Sequence, residues 1–146
     1  MNKNLPDQYV RKAIFDAFNG TTVDGNVVGV FDTRYTSTTS ELQAYVLMTT
    51  QSNDVDYNKC SDFWDSNILL EVCVLYRSTS NIGSRLLADK ILNALRIALQ
   101  TDLDLDFATS GLTVQNQTMT FPNDLTTNLN NATLFRKFLR LELKIK

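Results

Sequence analysis

One feature dominates the hydrophobic pattern. Ile68-Leu69-Leu70-Glu71-Val72-Cys73-Val74-Leu75-Tyr76-Arg77 is a nearly continuous apolar run. After a short polar break, a segment with apolar residues at helical spacing extends to Gln100. A run of that length bounded by polar residues predicts a buried strand, and the periodic segment a helix. Side chains alternate along a strand, so Ile68, Leu70, Val72, Val74 and Tyr76 form one wholly apolar face. Leu69, Cys73 and Leu75 share the other face with Glu71 and Arg77.

The helix is predicted over 84–100, with Ser84 or Asn81 as its cap. Its polar residues, Arg85, Asp89, Asn93, Arg96 and Gln100, fall on a stripe roughly 80° wide. Leu87, Ile91, Ala94 and Ala98 centre a much broader apolar side. Leu86 and Ile97 extend one flank, Leu92 and Leu99 the other, and only Lys90 interrupts the arc. A helix resting on one surface needs a narrower apolar stripe. This one is therefore expected to be covered on more than one side: by another helix, by a loop arm, or by a second subunit.

The remaining pattern places further elements around that pair. Residues 5–18 predict a helix: Pro6 and Asp7 suit its first turn, Val10, Ala13, Ile14 and Ala17 share a face, and Asn19-Gly20 stops it. Asp24-Gly25 predicts a hairpin turn leading into a strand near 27–33. A second strand is expected at 41–50, with Leu42, Ala44, Val46 and Met48 on one face and Gln43, Tyr45, Leu47 and Thr49 on the other. Apolar groups on both faces indicate an inner position. Residues 51–67 read as a long solvent loop anchored by Phe63-Trp64. Residues 102–106 read as a short alternating strand or acidic edge, 112–121 as a weak strand and 123–133 as a loop. The segment 134–146 is a strand with Leu139, Leu141, Leu143 and Ile145 facing one way and Arg140, Glu142, Lys144 and Lys146 the other. The expected fold is a single α+β domain over 1–146, a twisted, mainly antiparallel sheet of four to five strands packed against two helices.

Composition narrows the chemistry. The chain has 146 residues, 43% hydrophobic and 21% charged. A chain of that size buries roughly two thirds of its unfolded surface, enough for a core without staples. The absence of histidine removes Ser-His-Asp and Cys-His catalysis and histidine metal sites. Cys60 and Cys73 suffice for one disulfide by count but form no CxxC or four-ligand zinc set. Cys73, inside the apolar strand, reads as a buried small hydrophobe. The sequons at Asn19, Asn116 and Asn131 stand in a chain with no secretory signal at its start, and read as chance matches. No apolar run is long enough to span a membrane, and no cofactor motif is present.

Three candidate chemistries are weaker than their structural readings. Asp54, Asp56, Asp62 and Asp65 beside two aromatics suggest a glycosidase-like carboxylate pair, but nothing fixes their geometry. Asp102-Leu103-Asp104-Leu105-Asp106 imitates the start of a calcium loop, then places Phe107 where glycine is needed and Thr113 where glutamate is. Five of the fourteen basic residues lie in the last eleven positions. They alternate with core residues and lack stacking aromatics beyond Phe135 and Phe138, and the net charge is -2, so a dedicated nucleic-acid surface is not expected. These bases and the acids at 102–106 form a charge asymmetry that reads either as a means of pairing one subunit with its neighbour or simply as a solvated strand face.

The order helix, strands, central strand, helix, strand, long closing strand resembles the tail-terminator, or tail-completion, and head–tail neck proteins of tailed bacteriophages. The matching parts are Tyr9-Val10-Arg11-Lys12-Ala13-Ile14-Phe15, the Ile68–Arg77 strand, the Ser78-Thr79-Ser80 break, the helix Arg85-Leu86-Leu87-Ala88-Asp89-Lys90-Ile91-Leu92-Asn93-Ala94-Leu95, and the Phe138–Ile145 strand. In element order the resemblance covers nearly the whole chain. The resemblance implies a non-catalytic virion subunit, made in the host cytoplasm, that closes with copies of itself into a ring around the DNA channel. Its partners would be other tail, neck or portal proteins, with DNA passing through unbound and no membrane involved. A head–tail adaptor seated on the portal and a small carboxylate-dependent enzyme are the alternatives. Candidate subunit contacts are Leu86, Leu92, Ile97 and Leu99 on the second helix, Phe63 and Trp64 in the loop, Asp102, Asp104 and Asp106, and Arg136, Lys137 and Arg140.

Overall fold

The computed structural model describes residues 5–32, 42–57, 62–76, 84–105, 111–129 and 132–146. The elements are α1 (Asp7–Phe18), β1 (Thr21–Val23), β2 (Asn26–Phe31), β3 (Leu42–Tyr57), β4 (Asp62–Tyr76), α2 (Ser84–Asp102), β5 (Val114–Thr120), β6 (Leu125–Leu129) and β7 (Ala132–Ile145). The strands form one curled, seven-stranded sheet in the order β1-β2-β3-β4-β7-β5, with β6 also on β7. The expected count of four to five strands is therefore too low.

The N-terminal third folds as its sequence dictates. α1 starts behind Pro6 with Asp7 in its first turn and buries Val10, Ala13, Ile14 and Phe18. Asn19 N–H still donates to the Phe15 carbonyl at 2.8 Å, while Gly20 turns the chain at φ +80°, which costs glycine little. The Asn19 side chain then accepts the Val30 N–H at 3.0 Å and ties the helix end to β2. Asp24 and Gly25 both take positive φ, as a two-residue hairpin turn between β1 and β2 requires.

β4 lies inside the sheet between β3 and β7 and is antiparallel to both. Register places Val46, Val72 and Lys137 abreast, and likewise Tyr45, Cys73 and Arg136. β2 joins β3 in parallel through Gly29↔Tyr45 to Phe31↔Leu47. β7 is long enough to serve two further partners along its outer side: β6 pairs with its first half and β5 with its second.

Both helices pack on one sheet face. Ile68, Leu70, Val72 and Val74 of β4, Leu139, Leu141, Leu143 and Ile145 of β7, and Val46 and Met48 of β3 meet Leu87, Ala88, Ile91, Leu95 and Leu99 of α2 and the buried face of α1. Each such side chain, fully buried, contributes about 1.5–3 kcal/mol relative to exposure. Among the described residues the opposite face carries no helix. Curvature nevertheless hides its middle: Tyr45, Cys73, Leu75 and Glu71 are all buried.

Three local expectations are corrected. The stretch 51–67 is no solvent loop: β3 runs on to Tyr57 and β4 begins at Asp62, forming a paired hairpin arm from Ser52↔Asn67 to Tyr57↔Asp62. Its residues are polar because that arm has few apolar neighbours, while backbone pairing needs no side-chain pattern. Residues 123–133 contain β6 and the start of β7, where threonines favour extended backbone. Residues 102–105 form no strand; α2 continues to Asp102, and Leu105 then turns into the core while Asp104 stays exposed. Among the described residues no helix is long and apolar enough to cross a membrane.

Candidate subunit interface

α2 divides its apolar arc between core and solvent. Leu87 and Ile91 are 7% and 0% exposed, and Leu95 and Leu99 are fully buried. Leu86 and Ile97 are 57% and 47% exposed on the same flank. Cover for the inner side comes from β4, β7 and α1, and the outer flank has none among the described residues. Lys90, which breaks that flank, reaches Asp24 of the β1–β2 turn at 2.6 Å.

The other flank is occupied within the chain. Leu99 belongs to the subunit's own core, which removes it from the contact set. Leu92 is half-buried and lines a shallow groove with Phe121, Pro122, Asp124, Lys137 and Phe138. Lys137 spans this groove, paired with Asp89 of α2 and 3.8 Å from Asp124. Arg85 meets Asp124 from the other side at 3.0 Å. The Asp124 carboxyl is held below the usual range by its own backbone N–H first, then by Lys137 and Arg85.

The helix-free face holds a cluster that the pattern of residues only hinted at. Glu71 Oε1 accepts the Nε–H of Arg136 at 2.5 Å and the thiol of Cys73 at 3.1 Å. The Arg136 guanidinium lies 5.5 Å from the centroid of the Phe138 ring. Burial pushes the Cys73 thiol far above its ordinary range, and the Glu71 carboxylate adds to the effect. The hydrogen bond to Glu71 raises Arg136. These groups border a hollow of about 320 Å³ lined by Tyr45, Leu47, Glu71, Cys73, Thr127, Leu134 and Arg136. Cys73 is a free buried thiol; Cys60 lies outside the described residues.

The remaining candidates are scattered. Trp64 is half-buried against the core, its backbone paired with Val55 and Ile145. Phe63 pairs by backbone with Asp56, and its side chain lies outside the described residues. Asp102 closes α2, its side chain likewise outside the described residues, Asp104 is exposed, and Asp106 is outside them altogether. Arg136 and Lys137 pair with Glu71 and Asp89 of their own chain. Arg140 is exposed and forms no ion pair among the described residues.

The arm carboxylates come together differently from a catalytic pair. Asp54 and Asp65 face each other across β3 and β4, both exposed, with Lys144 3.7 Å from Asp65. With Glu142 they line an open hollow of about 330 Å³. The side chains of Asp56 and Asp62 lie outside the described residues. Among the described residues no cluster of acids, cysteines or histidines has metal-ligand geometry. Glu71 and Arg136 are distant in sequence, and only the β4–β7 register could have paired them. Their one visible sign was a lone carboxylate inside an apolar run.

No protein-family model matches the sequence, and no curated protein matches it. Among solved structures, a chain of the "Virion of native gene transfer agent (GTA) particle" is similar, with a TM-score of 0.54 over 92% of this chain and 94% of that one, at 13% identity. The likeness is one of fold, along nearly the full length of both chains.

Proposed function

We propose that the chain is a virion structural subunit of a phage-like particle, closing with copies of itself into a ring at the tail or head–tail neck. The observation that carries this reading is the near-complete overlap in fold with a virion chain. The exposed flank of α2 supports it, since Leu86 and Ile97 offer an apolar stripe for a neighbour. Head-to-tail contacts between unlike patches of one subunit close into rings when the rotation permits. The net charge of -2 suits a channel through which DNA slides without sticking. In this role the subunit contacts other tail, neck or portal proteins and performs no chemistry.

Native mass spectrometry and negative-stain electron microscopy of the purified chain, alone and with particle lysate, test the proposal. The expected result is a closed ring of one defined copy number, or conversion from monomer to ring on contact with a particle component. A chain that stays monomeric and associates with no particle component refutes it.

A further inference from the structure

We propose that the β3–β4 arm of one copy docks on the outward side of β7 of the next, with the Asp54 and Asp65 carboxylates meeting Arg140 and the outer edge of Arg136. This deepens the ring reading and rests on it. The two patches have complementary charge. On the arm, Asp54 and Asp65 stand directly opposite each other across the strands, a like-charge placement that costs stability. Lys144 lies 3.7 Å from Asp65, and Glu142 adds a third carboxylate to the same hollow. On β7, Leu134, Arg136, Phe138 and Arg140 alternate with core residues and so point to the helix-free face.

Both arginines have donors to spare. Arg136 engages Glu71 through Nε, and its terminal nitrogens make no hydrogen bond among the described residues. Arg140 has no ion pair among them. Planar guanidinium forks on an apolar strip suit carboxylates presented by an extended segment.

The contact cannot form within one chain. Asp65 is level with Lys144, whereas Arg140 is level with Leu69 and Arg136 with Cys73, roughly 13 and 26 Å away along the strand and beyond the reach of a paired side chain. Two unlike patches apart on one sheet permit a head-to-tail contact, the kind that propagates around a ring. Within a subunit, β2 covers the edge of β3 only along Tyr45 to Leu47. The arm edge beyond Met48 is paired with no described strand.

The test is charge reversal and its reciprocal rescue in the full-length chain. Asp54→Lys and Arg140→Glu alter exposed side chains, so neither should lower the thermal unfolding temperature, and Asp54→Lys, which relieves the like-charge pairing with Asp65, should raise it slightly. Each alone should raise the concentration of half assembly by about ten-fold or more, read by native mass spectrometry at low salt. The double variant Asp54→Lys/Arg140→Glu should recover most of that loss, and added salt should weaken the wild-type assembly. Rings that form equally well with either single reversal overturn the arm contact and leave the ring reading standing. Association that the reversals abolish and the double restores, but that stops at open oligomers, supports the contact and refutes the ring. A double variant no better than the singles also overturns it, as does a wild type that never associates.

Discussion

α2 carries two isoleucines with opposite environments, and their replacement by serine separates folding from assembly. Ile91 is 0% exposed, between β4, β7 and α1. Removing its side chain forfeits burial and leaves a cavity, together about 2–5 kcal/mol. The serine hydroxyl adds a further penalty of about 1 kcal/mol unless it bonds back to its own helix. A total near 5 kcal/mol is a large share of the roughly 5–15 kcal/mol typical of a domain. At about 2–4 °C per kcal/mol for this chain length, Ile91→Ser should lower Tm by on the order of 10–20 °C. Ile97 is 47% exposed, so the same change loses only about 1 kcal/mol. Urea and thermal unfolding of the monomer measure both, and native mass spectrometry measures association. Ile97→Ser should stay folded and assemble poorly, and Leu86→Ser should behave like it. Equal destabilisation by Ile91→Ser and Ile97→Ser would refute the division of α2 into core and contact flanks.

Two further outcomes follow from the buried cluster on the helix-free face. Glu71→Met leaves Arg136 without its partner and should cost about 3 kcal/mol, while Glu71→Met/Arg136→Met should regain most of it; a double variant as unstable in urea as the single contradicts this. Cys73 stays protonated when folded but ionises in the unfolded chain above about pH 9. The unfolded state then binds fewer protons, so wild-type stability should fall with rising pH by about 1.4 kcal/mol per unit attributable to this group. Cys73→Ala lacks that slope, and parallel pH profiles of the two proteins above pH 9 would refute the assignment.

Elements held by side-chain pattern were legible in the sequence. Leu87, Ile91 and the alternating residues of β4 and β7 announce their faces because burial imposes a period. The Asp24-Gly25 turn was legible because only certain residues accept positive φ twice in succession. What escaped was strand formed by backbone pairing among polar residues. Ser52 to Tyr57 and Leu125 to Leu129 owe their extension to backbone pairing with the strands that follow them closely, Asp62 to Asn67 and Ala132 to Arg136, and nothing in their own side-chain pattern demands it. Leu99 was misplaced for a related reason. The width of the apolar arc on α2 shows that more than one neighbour exists, but not which flank turns towards β4 and β7. The contact residues were legible only as a list of exposed types; register decides that Arg136 answers to Glu71 while Arg140 forms no ion pair among the described residues.

β7 brings a consequence for synthesis. β4, the most apolar stretch of the chain, has half its backbone partners in a strand translated much later: Ile68 waits for Leu141, and Trp64 for Ile145. During that interval β3, α1 and the newly made α2 are the elements at hand to shield it. Contacts so remote along the chain make for slow closure, and unpaired apolar strands attract other nascent chains. The arrangement couples yield in the cell to the speed with which α2 settles on β4. Changes that weaken this helix should therefore show first as insoluble protein, before any loss is visible in the folded molecule.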